Sequence, residues 1–423
     1  MQFDPATAED FFRQLPVRPG VCLIEPRAAG AQPFLIRTQD LRRRLTKLLG
    51  LLDAQSKRLN LREFAGSVRY RVTGSRFEQT LTYYQNAKLL HPNRYRDLLR
   101  MRPPAVLKVS LKNAYPRCFV TRRIPTDATG SPVAGAYYGP FKKRKVAERF
   151  ANGVLDFFKV RRCQIKIRRD PTFPGCLYSE MKMCLAPCFA GCSQEEYGAE
   201  VQRLVQFLDT GGHSLRVTLE KEREQASEDL DFERASVLHK RVEKLDEALR
   251  GGPELARRVS DINAVLLQRG AEEQTIGVYA VRGGYLAEPL VVRFAEIASA
   301  PKSAEQMFRE YLESPAPEGA VGKSDLSEHL WLLARWFYSK DREGDIFFQH
   351  ESGRQGGWPY RRILRACSRL LAAEPKIPSE KNAEKAAPAG TPESSTETPA
   401  EAPAKAAPSQ RNLFDKTSGE GVT

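Results

Sequence analysis

Two short apolar runs, Val21-Cys22-Leu23-Ile24 and Phe34-Leu35-Ile36, lie near the start of the chain, joined by a turn rich in Gly, Ala and Pro. Runs of that length separated by turn formers predict a β-hairpin. Apolar residues then recur at Leu41, Leu45, Leu48, Leu49 and Leu52, a helical spacing with Asp40 at the N-cap position. Val68 to Val72 alternates as a strand does, and Phe77 to Leu90 returns to helical spacing before Pro92. The first hundred residues therefore predict a small α/β unit. Strand-like runs at Val106–Leu111 and Phe119–Thr121 lead into a predicted helix from Lys142 to Val160. Residues 194–250 carry the Glu, Gln, Arg and Leu pattern of helix, broken at Gly251-Gly252-Pro253. Strands follow at Ala264–Leu267, Thr275–Val281 and Leu290–Phe294, with helices around Leu330–Phe337 and Tyr360–Leu371. From Glu374 the chain is rich in Ala, Pro, Glu, Lys, Ser and Thr, with Phe414 its lone aromatic residue. Burial of so polar a tail cannot offset the entropy of ordering it, so disorder is expected there. The fold class expected is α+β multidomain, with regions at 14–100, 101–192, 193–250, 256–373 and 374–423.

Composition changes this picture in two ways. Lys and Arg number 67 against 52 Asp and Glu, a net charge of +15. Excess positive charge favours a polyanionic partner, because each phosphate neutralised releases a condensed counterion. A merely solvated basic surface gives the same totals. No apolar run approaches the roughly 20 residues that a membrane-spanning helix needs. The segment Met1 to Phe12 also lacks the basic-then-apolar pattern of a signal peptide. A cytoplasmic, reducing setting is expected, with no membrane partner. There the eight cysteines point to metal or redox chemistry rather than to disulfides.

Five of those cysteines, Cys163, Cys176, Cys184, Cys188 and Cys192, fall in a C-x12-C-x7-C-x3-C-x3-C pattern. Four thiolates meeting at one point suit either zinc or an iron–sulfur centre, and spacing alone does not choose between them. Basic neighbours Arg161, Arg162, Lys166 and Lys182 are expected to favour the thiolate form. Just before and within this cluster, eleven Lys or Arg stand between Lys142 and Arg169 against two acids, with Phe141, Phe150, Phe157 and Phe158 interleaved. Lys142, Lys143, Arg144, Lys145, Arg149, Arg161 and Arg162 are the candidate phosphate contacts, while the phenylalanines are expected to pack the helix.

These motifs together resemble the middle region of the bacterial UvrC excinuclease family. The resemblance rests on Tyr138-Gly139-Pro140-Phe141, Arg161-Arg162-Cys163, Cys176-Leu177-Tyr178 and Cys184-Leu185-Ala186-Pro187-Cys188. It implies that Cys163, Cys176, Cys184 and Cys188 hold an iron–sulfur cluster of the 4Fe-4S type, zinc being the alternative, with Cys192 an extra. Ala226-Ser227-Glu228-Asp229-Leu230-Asp231-Phe232-Glu233-Arg234-Ala235 resembles the UVR motif, expected within about 215–250. That likeness implies a helical hairpin docking a UvrB-like protein through Ala226, Leu230, Phe232, Arg234, Ala235 and Leu238.

The N-terminal region resembles a GIY-YIG nuclease domain, with departures. Pro19-Gly20-Val21-Cys22 and Phe34-Leu35-Ile36-Arg37 stand where that family has Pro-Gly-Val-Tyr and Tyr-Ile-Gly-Lys, and its metal-binding Glu falls at Tyr83. Asp40-Leu41-Arg42-Arg43-Arg44 keeps the phosphate-binding arginine at Arg44. Phosphodiester cleavage needs an activated oxygen nucleophile and an acidic anchor for a divalent metal. Cys22, Phe34, Arg37, Arg44 and Tyr83 thus form a degenerate catalytic set, and Mg²⁺ is expected only if the nuclease is active. Residues 256–373 resemble the beginning of an RNase H-like domain, including Val281-Arg282-Gly283-Gly284, without its Asp-Ile-Ser-His segment. In the tail, Gln410, Leu413 and Phe414 resemble a pentapeptide that docks on the replication sliding clamp. The function expected is DNA binding in nucleotide excision repair without full incision. An active endonuclease and a UvrB-binding module without DNA contact are the alternatives.

Overall fold

The structure, a computed structural model, describes residues 1–52, 58–297, 299, 301–314, 325–349 and 357–373. The clamp-like Gln410, Leu413 and Phe414 and the tail expected to be disordered lie outside them. The chain is a mixture of helix and sheet that divides into two compact units. One holds Met1–Leu99 with Gln268–Thr275 and the segment from Ser368; the other holds Arg100–Leu267 and Ile276–Cys367.

The first unit is built from helix α1 (Ala8–Gln14), strands β1 (Gly20–Pro26) and β2 (Phe34–Thr38), helix α2 (Leu41–Leu49), strand β3 (Ala65–Val72), helix α3 (Arg76–Leu90) and helix α4 (Tyr95–Leu98). The predicted hairpin pairs antiparallel, Cys22 opposite Ile36 and Ile24 opposite Phe34. Strand β3 adds on the other side of β1, giving the order β2-β1-β3. Asp40 caps α2 by accepting from the Arg43 amide at 2.9 Å. That satisfies one of the four amides a helix start leaves unpaired. The stripe Leu41, Leu45, Leu48 and Leu49 is fully buried against Phe11, Leu15, Cys22 and Ile36.

The second unit begins with β4 (Ala105–Val109), β5 (Cys118–Thr121) and β6 (Ala136–Phe141), followed by α5 (Arg144–Leu155), α6 (Leu177–Glu180), α7 (Gln194–Asp209), α8 (His213–Glu228) and α9 (Phe232–Arg250). Then come β7 (Arg257–Arg258), β8 (Ala264–Arg269), β9 (Thr275–Arg282), β10 (Tyr285–Leu286), β11 (Leu290–Arg293), α10 (Phe294–Ile297), α11 (Ala304–Glu313), α12 (Asp325–Phe337), β12 (Asp345–Phe348) and α13 (Tyr360–Ala372). One sheet has the order β5-β4-β6-β7, and the other β10-β9-β8-β12 with β11 on β9. Strand β6 was not expected from the sequence: all six of its residues are buried, so it lacks alternation, and it contains Gly139-Pro140. The basic helix ends at Leu155, five residues short of Val160, because the chain turns there to bury Phe157, Phe158 and Val160.

The first sheet of this unit, α5, α7 and the α8–α9 hairpin share one core. Buried Tyr138 on β6 ties it to α7, donating its hydroxyl to Asp209 at 2.8 Å. Arg258 on β7 grips both oxygens of the same carboxylate at 2.7 Å. Helix α12 touches both sheets: Tyr338, just past its end, donates to the Pro140 carbonyl (2.8 Å), and the Leu286 amide donates to His329 Nδ1 (3.1 Å).

Candidate functional site

The cysteine segment, between α5 and α7, has almost no regular structure and is held by side chains instead. Glu200 on α7 accepts from the Lys159 amide at 2.7 Å. The Tyr197 hydroxyl accepts from the Arg161 amide (3.0 Å) and donates to the Pro116 carbonyl (2.7 Å). Inside the loop the Asp170 amide donates to the Cys188 carbonyl, and Ser179 Oγ accepts from the Cys176 amide, both at 2.9 Å. Lys182, Ala186 and Ala190 all have positive φ, at 56°, 55° and 61°. Left-handed backbone is uncommon for residues with a Cβ and persists where the surroundings dictate it. Here it turns the chain before and after Cys184 and again after Cys188, bringing both sulfurs to one side.

The result is a single cavity of about 280 Å³ lined by Cys163, Cys176, Cys184 and Cys188, walled mainly by apolar groups such as Ile165, Ile167 and Phe173. Cys192 is not among its lining residues; it is buried in the hydrophobic core of the unit. Four of the five clustered cysteines therefore line one cavity, the four named above on the resemblance. Two sulfurs accept hydrogen bonds: Cys184 from the Ala186 amide at 3.3 Å, and Cys163 from Arg161 Nη1 at 3.7 Å. Burial pushes the Cys184 thiol up to about 11, and the neighbouring cysteines push the same way. Cys188 is raised by burial too. The expectation that basic neighbours favour the thiolate is thus overturned at Cys184 and Cys188: in this apolar wall desolvation wins, and a bound cation would have to supply the stabilisation. Among the described residues no three His, Cys, Asp or Glu side chains are grouped as the ligands of one metal ion.

The basic stretch divides into bound and free charges. Arg161 is buried and donates to the carbonyls of Tyr115 (2.9 Å) and Ile165 (2.9 Å) as well as to the cysteine loop. Expected as a phosphate contact, it is spent on holding that loop. Arg162 pairs with Asp156 at 2.8 Å and Arg144 with Glu148 at 2.6 Å. Lys142, Lys143, Lys145 and Arg149 are exposed, and among the described residues none of them pairs with a carboxylate.

In the helical hairpin, Asp231 caps α9 by accepting from the Arg234 amide (3.0 Å), and Leu230 turns the chain at φ 57°. Its side chain is 72% exposed and that of Phe232 68%. Large apolar groups held so far into water need a reason. Arg234 is exposed beside them, whereas Ala226 and Leu238 are buried and Ala235 partly so, packing α8 on α9. Those three, expected at the partner surface, serve the hairpin's own core. Val237 on α9, 60% exposed, was overlooked; it stands about 1.4 turns from Phe232, so helical spacing gave no signal for it.

The degenerate catalytic set is not assembled around a metal ligand. Cys22 is fully buried, and burial drives its thiol far above the normal range. Phe34 packs against the same core. Arg37 lies over the ring of buried Tyr83, 5.5 Å from its centre, and Arg44 stands exposed on the first turn of α2. The carboxylate nearest Tyr83 in sequence, Glu78, accepts from the Gly74 amide at 2.8 Å and faces Arg71 at 3.8 Å.

Two segments of the chain match known protein families. Residues 105–207 match the UvrC/Cho excinuclease middle domain, and residues 215–248 match the UvrB/uvrC motif. The chain thus carries an excinuclease-type middle domain followed by a UVR motif. Over part of its length it is similar to proteins named UvrABC system protein C. The protein of that name from Acetivibrio thermocellus is 22% identical over 78% of this chain and 53% of its own length. Those from Nitratidesulfovibrio vulgaris and Carboxydothermus hydrogenoformans are 30% and 31% identical over 48% and 43% of this chain, and 27% and 28% of their own. The chain therefore spans about half the length, or less, of these relatives. No solved structure matches it.

Proposed function

We propose that this chain is a cytoplasmic DNA-binding protein of nucleotide excision repair that docks a UvrB-type protein and does not itself cut DNA. One observation carries the reading: a middle domain and UVR motif of the excinuclease type end in a hairpin tip that exposes Leu230, Phe232 and Val237. An apolar tip with an adjacent arginine suits docking into a partner groove. The four-cysteine cavity is read as the seat of an iron–sulfur cluster. What supports this is the apolar wall and the four cysteines that line one cavity of about 280 Å³, zinc being the alternative. Cys163, Cys176, Cys184 and Cys188 would hold such a cluster, which would tie distant parts of the loop together. Arg161 and the Ala186 amide orient the sulfurs by hydrogen bonds.

Within this reading the first unit is a GIY-YIG-like fold whose chemistry has lapsed. Its oxygen nucleophiles are replaced by a buried thiol and a phenyl ring, and Tyr83 stands where the metal-binding carboxylate is expected. The strands β8 to β12 correspond to the beginning of an RNase H-like domain. Nicking of supercoiled plasmid with Mg²⁺ or Mn²⁺ tests the non-incising claim. No nicking above background is expected; nicking that disappears in Arg44→Ala would refute it.

A further inference from the structure

We propose that a basic cleft between the middle-domain sheet and α12 is the seat of the nucleic-acid backbone, joining Lys142 and Lys143 to three arginines that no sequence motif marked. The cleft holds about 310 Å³ and is lined by Arg102, Arg122, Lys142, Lys143, Arg335 and Trp331, with no carboxylate among its lining residues. The cations come from four places: before β4, after β5, after β6, and from α12, nearly two hundred residues further on. Among the described residues none of the five pairs with an acid, whereas Arg144, Arg162 and Arg258 in the same unit all do. Five like charges around one concavity repel one another, and a cleft with low-dielectric walls focuses their field. A polyanion is the ligand that relieves this.

Local geometry holds the cations in place rather than neutralising them. Arg122 donates to the Pro103 carbonyl at 2.6 Å, and Arg335 lies over the Trp331 ring, 5.3 Å from its centre. Lys143 is the N-cap of α5, a helix with no side-chain cap and no acid in its first turn, so a helix's positive end adds to the field. Tyr338 and Trp331 give the cleft aromatic walls, which suit a strand whose phosphates sit on the cations and whose bases lean on rings. The shared chemistry is a run of phosphodiesters, from a single strand or a duplex. This inference rests on the DNA-binding reading and narrows it to named residues.

The test is fluorescence anisotropy of the full chain with labelled single-stranded and double-stranded oligonucleotides across a salt series. Arg102→Gln, Arg122→Gln and Arg335→Gln are combined in one variant. A control variant carries Lys47→Gln, Lys221→Gln and Lys240→Gln, exposed lysines elsewhere. Each lost phosphate contact removes about 0.7–0.9 from the slope of log affinity against log salt. The cleft variant should lose about two to three units of slope and at least about tenfold in affinity, on whichever nucleic acid the parent prefers. The control should lose little, and the corresponding Arg→Lys triple should recover most of the binding. Equal losses in cleft and control variants, or an unchanged cleft variant, would overturn the cleft while leaving DNA binding intact. A parent chain that binds neither oligonucleotide at low salt would overturn the DNA-binding reading itself, and the cleft with it.

Discussion

The first unit and the cysteine loop are held together by opposite means. In the first unit, apolar residues on β1, β2, α1 and α2 form a core that takes in Cys22 and packs Phe34. Exchange of a reactive group there for an apolar one is expected to cost the fold little, because buried carbon area does the stabilising. The cysteine loop has little regular structure, and its large apolar residues between Cys163 and Cys192 stay at least partly exposed. It depends on four sulfurs, a buried arginine and three left-handed residues. A scaffold outlives its chemistry where packing carries it, and does not where chemistry is the packing.

Five substitutions test this contrast. The largest effect is expected from Cys184→Ser, which should take bound metal from stoichiometric to near zero, while Cys192→Ser, outside the cavity, should leave it unchanged. Metal analysis of both proteins decides; equal loss would mean that the four-sulfur grouping is wrong. Next, Leu45→Ala removes a fully buried side chain from the first unit and should cost about 2–5 kcal/mol in its denaturant unfolding, with metal content intact. Phe232→Ala should weaken binding to a UvrB-type protein by about 2 kcal/mol without altering the circular dichroism, since the ring is 68% exposed. A titration by calorimetry reads this directly. The smallest effect is at Asp40→Ala, where loss of the α2 cap should cost about 1 kcal/mol by thermal melt.

Arg161 sharpens the comparison further. Arg161→Gln should weaken metal retention by about 10–100-fold, as loss of a group that orients a ligand does, and leave the salt slope of DNA binding unchanged. A reduced salt slope with full metal content would return Arg161 to the DNA surface, where the sequence had placed it.

What was legible follows the same divide. The β1–β2 hairpin, the capped stripe of α2 and the turn into α9 were readable because each is set by a local rule: turn formers, helical spacing, an N-cap aspartate. Strand β6 escaped because a strand buried on both faces has no alternation and its Gly-Pro reads as a break. Five cysteines were legible as a cluster from their spacing, whereas the choice of the four that line the cavity came from the family resemblance. The fate of each charge in the basic stretch was not. Whether Arg144, Arg161 and Lys142 face phosphate, a carboxylate or a carbonyl depends on partners that only the fold supplies. Ala226 and Leu238 were misplaced for the same reason: an apolar stripe on a hairpin helix serves the neighbouring helix before it serves a partner.

The central claim is that Cys163, Cys176, Cys184 and Cys188 share one multi-iron centre, and anaerobic purification followed by iron, sulfide and zinc analysis with visible absorbance addresses it most directly. The account predicts about four iron and four sulfide per chain with iron–sulfur charge-transfer bands. One zinc per chain and a colourless protein would contradict it.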